Sequence, residues 1–175
     1  MAFRQTVQIA APVETVFAIA TDFEYAPKIM DNVIRAEKLT EGPLQVGTQI
    51  KETRNVRTNE INTVMHVTEF IPGEKYTVKS ESGGMTVTYQ YQFRASDDGT
   101  TVDFAGSIKS KGLKNAFIRP FFEKILKKED EDHLMRLKEY IEQEKLSEEE
   151  PPVKGGQKSW KLSCLAQPEE SARKS

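Results

Sequence analysis

Residues 85–93, MTVTYQYQF, alternate without a slip: Met85, Val87, Tyr89, Tyr91 and Phe93 form one row, Thr86, Thr88, Gln90 and Gln92 the other. Successive side chains of a strand point to opposite sides of the pleat, so this period predicts a strand with one buried face. Two tyrosines in the buried row need partners for their hydroxyls, which suits either a core with polar neighbours or a lined cavity. Weaker alternation in FRQTVQI (3–9) predicts a first strand. YTVKS (76–80) and TVDFAGSI (101–108) predict two more, with Tyr76, Val78, Val102, Phe104, Gly106 and Ile108 facing inward. In INTVMHVTEF (61–70) both registers carry apolar residues, Met65 and Val67 against Val64 and Phe70, and the inward face stays open. Turn signals at 41–47, 57–60, 71–74, 81–84 and 96–100 divide the chain after Val33 into an antiparallel meander of about six strands.

The period changes to 3.6 in two places. AAPVETVFAIATDF (10–23) puts Val13, Val16, Phe17 and Ala20 at helical spacing, with Pro12 in the first turn and Glu14 near the positive end of the dipole. Asp22 ends this helix, and EYAPKIMDN (24–32) predicts a second short one. After SKGLKN (110–115) a helix is expected to run to about Glu144, with Phe122, Leu126, Leu134, Leu137 and Ile141 as its apolar stripe. Pro120 predicts a kink or a separate first turn, the main helix starting near it. These elements bury their apolar faces if a curved antiparallel sheet of about seven strands wraps around the long C-terminal helix, an α+β arrangement.

Composition narrows the reading. The 175 residues suit one domain, and a formal charge of −2 argues against nucleic-acid binding. A single cysteine, Cys164, excludes an internal disulfide framework, and no leader or membrane span is visible, so a soluble cytoplasmic protein is expected. Near Leu146 the composition shifts to adjacent prolines, adjacent glycines and a glutamate run, which divides the chain into a folded domain, 1–145, and a disordered tail, 146–175. SWKLSCL (159–165) is the alternative within that tail, a docking motif for a protein partner through Trp160, Leu162 and Leu165.

Candidate chemistry sits where polar residues share apolar faces. At 100° per residue Asp130 and His133 lean toward the stripe, which suggests an acid–base or ligand-orienting pair. The charged run KKEDEDH around them equally fits a solvated helix surface. In TQIKETRNV (48–56), Ile50, Glu52 and Arg54 share one strand face, so an inward Ile50 brings the ion pair inward with it; an exposed pair at the sheet edge is the plainer alternative. His66 stands alone. No metal-ligand spacing, phosphate loop or serine nucleophile elbow is present, and neither a metal nor a cofactor is expected. Residues 109–128 mix basic and aromatic side chains, which suits either transient contact with an anionic membrane or a core-packing helix with solvated lysines.

VQIAAPVETVFAIATDFEYAPKIMDNV (7–33) resembles the START-like (SRPBCC) superfamily in its polyketide cyclase/dehydrase and lipid-transport branch. The likeness continues in Gly42 and Gly47, in VTEFIPGEKYTV (67–78), in DDGTTVDF (97–104) and in LMRLKEYIE (134–142), covering about residues 3–145. Ile29 and Met30 stand where many relatives carry tryptophan. The resemblance implies the helix-grip fold and a deep cavity between sheet and C-terminal helix. Its expected walls are Ile50, Glu52, Arg54, Tyr76, Val78, Met85, Val87, Tyr89, Tyr91, Phe104, Gly106, Leu126, Asp130 and His133. It further implies a non-catalytic carrier or sensor of a small hydrophobic molecule: a lipid, quinone, polyketide or aromatic compound. A cyclase, aromatase or dehydratase using Asp130, His133, Glu52 or Tyr89 is the first alternative, and a protein-interaction or maturation module the second.

Overall fold

The computed structural model describes residues 2–56, 58–129 and 132–149. β1 (Ala2–Ile9) leads into α1 (Val13–Thr21), a 3-10 turn (Phe23–Tyr25) and the short α2 (Ala26–Ile29). Six strands follow: β2 (Val33–Lys38), β3 (Gln49–Val56), β4 (Asn59–Ile71), β5 (Lys75–Ser82), β6 (Met85–Ser96) and β7 (Gly99–Ser110). α3 (Leu113–Glu129) and α4 (His133–Glu149) close the described chain. The seven strands make one antiparallel sheet in the order β1-β7-β6-β5-β4-β3-β2, so the meander from β2 to β7 is joined at its far edge by β1. The concave face grips α4, whose Leu134, Leu137 and Ile141 are buried in one cluster with Val102, Phe104 and Phe93. This is the helix-grip architecture expected from the alternation and the C-terminal stripe.

Local chemistry explains the joints. Asp22 caps the end of α1, and its carboxylate accepts from the Glu24 N–H at 3.1 Å, starting the 3-10 turn. β4 owes its mixed pattern to a bulge: the register with β5 shifts between Val67 and Glu69. Met65 and Val67 are therefore buried before the shift and Phe70 packs on the core after it, while Val64 and His66 are exposed.

The C-terminal helix departs from expectation. It starts at Leu113, not near Pro120, and Pro120 lies inside α3. Proline removes the donor that the Ala116 carbonyl would receive, and both residues are exposed, where water replaces that bond. α4 starts at His133, after the non-helical Asp132. Lys127 and Lys128 suit the negative end of α3, and the Asp132 carbonyl receives the Arg136 N–H at 3.0 Å at the start of α4. α4 continues to Glu149, past the expected boundary at 145. The rest of the tail, SWKLSCL included, lies outside the described residues.

Candidate ligand-binding site

Between the concave sheet, the start of α4 and the α1–α2 segment lies a cavity of about 70 Å³. Strand register builds its floor. Tyr76 of β5 is opposite Tyr91 of β6, which is opposite Phe104 of β7, so three inward aromatic rings line up across three strands. Their centroids are 5.9 Å (Tyr76–Tyr91) and 4.8 Å (Tyr91–Phe104) apart. His133, the first residue of α4, ends this row: its ring meets Phe104 edge-on at 4.2 Å, and its Nε2 lies 3.1 Å from the Tyr91 hydroxyl. One proton is shared across that contact, donated by the phenol or by the imidazole according to tautomer. Val78 and Tyr89, a cross-strand pair, extend the floor beside the row.

Glu52 and Arg54 bring charge to the same cavity. Ile50 points inward and is fully buried, so the period of two turns Glu52 and Arg54 inward as well. Arg54 Nε donates to Glu52 Oε1, and the Arg54 guanidinium also reaches Met30 Sδ at 3.8 Å. The plainer alternative of an exposed edge pair does not hold, because both side chains are largely buried, 13% and 6% exposed for Arg54 and Glu52.

Other candidates fall elsewhere. Ile50 belongs to the packed core beside the cavity and does not line it. Met85 and Val87, near the β5–β6 hairpin, are half-buried beyond its edge. Gly106 opens no space: a Cβ there would lie 2.2 Å from Phe3 Cζ, so the room left by the missing side chain is filled by the Phe3 ring of the neighbouring strand. Leu126 is half-buried on α3, away from the lining, because the break before His133 separates α3 from the helix in the grip. Asp130 lies outside the described residues; among those described, the Tyr91 hydroxyl is within hydrogen-bonding distance of His133.

The opposite wall was missed by sequence reasoning. Ile19, Phe23, Ala26 and Met30 all line the cavity, and their spacing of four, three and four is helical. Treating α1 and α2 as one continuous surface through Asp22 would have found them. That wall is fastened to α4. The Tyr25 and Tyr140 rings are 5.5 Å apart, the Lys28 ammonium sits 5.0 Å and 5.5 Å from their centroids, and Asp31 pairs with Arg136.

Burial lifts the Tyr76 hydroxyl well above its ordinary value of 10.0, and the neighbouring Tyr91 and the Glu52 carboxylate push the same way. The unfolded chain ionises this tyrosine first, so it binds fewer protons than the folded chain above that pH. The resulting stability is fully present below about pH 10 and is lost as pH rises toward the folded value. Denaturant midpoints measured between pH 8 and pH 11 are expected to fall more steeply for the wild type than for Tyr76→Phe. Equal slopes would place Tyr76 in a wetter site than the one described.

A sheet gripping its C-terminal helix over an aromatic-lined cavity defines the helix-grip class. Residues 1–142 match the family described as polyketide cyclase / dehydrase and lipid transport, and the chain belongs to that family, within the START-like superfamily. Solved structures agree in fold. The Thermus thermophilus protein TTHA0849 is 17% identical, with a TM-score of 0.66 over 86% of this chain and 100% of that one. Deinococcus radiodurans DR_A0006 is 18% identical, with a TM-score of 0.58 over 82% and 98%. The di-domain ARO/CYC StfQ of the steffimycin biosynthetic pathway is 14% identical, with a TM-score of 0.66 over 82% of this chain and 51% of that one. At such identities the likeness is one of fold. No functionally curated protein matches the sequence.

Proposed function

We propose that the protein binds a small, largely apolar molecule carrying one polar group, held between the sheet and α4, as a carrier or sensor. The observation that carries this reading is the division of one cavity into two chemistries. Phe104, Val78, Met65, Ile29 and Leu137 supply apolar contact, while Glu52, Arg54, Tyr76, Tyr91 and His133 gather hydrogen-bonding groups around the same space. A mostly apolar pocket with a few convergent polar groups is the usual form of a small-molecule site. Lipids, quinones, polyketides and aromatic compounds all fit that description. Cys164 as the one cysteine supports a cytoplasmic setting.

At about 70 Å³ the cavity holds a few water molecules and falls short of the several hundred Å³ of drug-sized sites. Ligand entry in this reading parts the α2–α4 wall at Tyr25, Lys28, Asp31, Tyr140 and Arg136. Apolar cargo is collected from a phase that dissolves it, which brings transient membrane contact into the same reading. The second reading is a cyclase or dehydratase, favoured by the hydrogen-bonded Tyr91–His133 pair, which can move a proton at the cavity wall.

Native mass spectrometry of gently purified protein, followed by denaturing extraction, is expected to find one apolar molecule per chain. Protein that purifies empty and binds nothing across a broad lipid, quinone and aromatic library would overturn the carrier reading. Turnover of the recovered molecule that is lost in Tyr91→Phe and in His133→Gln would select the enzyme.

A further inference from the structure

We propose that the outer face of α3 docks the protein on an anionic lipid surface. α3 carries more apolar surface than a helix that only packs on a sheet needs: Leu126 is half-buried on its inner side, and further apolar residues face out. Leu113, Phe117 and Phe121 recur every four residues and are 84%, 86% and 59% exposed. At 100° per residue they fall within an arc of about 80°. The orientation is fixed from the other side by Asn115, whose amide donates to the Gly83 carbonyl of the β5–β6 hairpin at 2.9 Å and to the Lys111 carbonyl at 3.0 Å. Asn115 thus faces the protein while Phe117 and Phe121 face out.

Charge indicates the occupant. Lys124 and Lys128 continue the aromatic stripe at helical spacing, Lys127 lies beside it, and all three are exposed, as are Lys109 and Lys111 just before the helix. Residues 109–128 hold one acid, Glu123, which is paired with Arg119 at 3.3 Å; the acids at 129–132 follow beyond the end of the stripe. The whole chain carries −2, so the positive density is local to this face. A second copy packed across a two-fold axis would set lysine rows against each other, which is unfavourable. An anionic bilayer meets both parts of the face: the aromatic rings enter the boundary between headgroups and acyl chains, and the lysines extend to the phosphates. The proposal stands on α3 alone and does not depend on what the cavity holds.

The test is co-sedimentation of the full chain with phosphatidylcholine vesicles, with and without phosphatidylglycerol, at low and high salt. Binding is expected with phosphatidylglycerol only, weakened by salt. It is expected to fall at least about ten-fold in Phe117→Ser/Phe121→Ser, in keeping with the loss of two buried aromatic side chains. It should fall similarly in Lys124→Glu/Lys128→Glu. These residues are exposed, so unchanged melting would show that the fold survives. Cavity occupancy by mass spectrometry should be unaffected, which separates failure here from failure of the ligand reading. Absence of vesicle binding by the wild type would overturn the proposal, as would binding that both variants retain. Concentration-dependent dimerisation lost in the serine variant, with no vesicle binding, would instead assign the face to a second copy.

Discussion

Gly99→Ala is expected to destabilise the protein by at least about 3 kcal/mol, while Gly73→Ala costs only about 1 kcal/mol. Both glycines sit at positive φ, +129° and +75°, in hairpins of the same sheet. Around Gly73 there is open space. A Cβ on Gly99 would lie 2.2 Å from the Ile9 carbonyl oxygen and 2.9 Å from the Ala11 nitrogen. Those atoms are backbone and cannot swing away as a side chain would. Relief requires the end of β1 to move off β7, which loses the Ile9–Thr100 pairing. It also pulls Ala11 from the buried Thr100 hydroxyl, which donates to its carbonyl at 2.7 Å. With a whole-domain stability of roughly 5–15 kcal/mol, this is a large share. Chemical denaturation of both variants measures it, and equal losses would mean that the close approach of β1 to the β6–β7 turn is not what requires glycine.

Gly99 also marks what was legible in the sequence. DDGTT contains the glycine and the threonine that fasten the first strand to the last hairpin, but the strand that needs them lies some ninety positions earlier, at Ile9 to Ala11. The sheet was legible because its chemistry is local: alternation and turn residues repeat strand by strand. Part of the cavity floor was legible once the resemblance implied a cavity, since the inward rows of β5, β6 and β7 name Tyr76, Val78, Tyr89, Tyr91 and Phe104, whereas Glu52 and Arg54 of β3 followed only if Ile50 faced inward, with an exposed edge pair as the plainer reading. What failed depends on distant partners. Gly106 reads as empty space until Phe3 is brought beside it by the β1–β7 register. The bulge after Val67 is set by pairing with β5, so the two apolar rows of β4 give no single face. The outward stripe of α3 has a helical period just as a core stripe does, and periodicity cannot say which side the sheet is on.

Arg54→Met is expected to cost about 3–5 kcal/mol, because it strands the buried Glu52 carboxylate among Tyr76, Met30 and the cavity lining. Removing both charges, in Glu52→Gln/Arg54→Met, should return most of that loss, since well-packed neutral groups of similar volume usually match a buried ion pair. A double-mutant cycle by denaturation therefore gives a coupling energy of a few kcal/mol. If single and double variants are equally unstable, the arginine acts through packing rather than charge. The same double variant separates stability from function. A buried pair that adds little net stability is retained at some cost, and its place at the polar end of the cavity supplies a reason: a guanidinium presents several N–H donors in a fixed fork and can orient an oxygen of the bound molecule. The double variant is then expected to fold with near-normal stability while holding its ligand at least about ten-fold more weakly, the size of one charge-assisted hydrogen bond. Unchanged affinity in a folded double variant would move the polar contact to the other side of the cavity, to Tyr91 and His133.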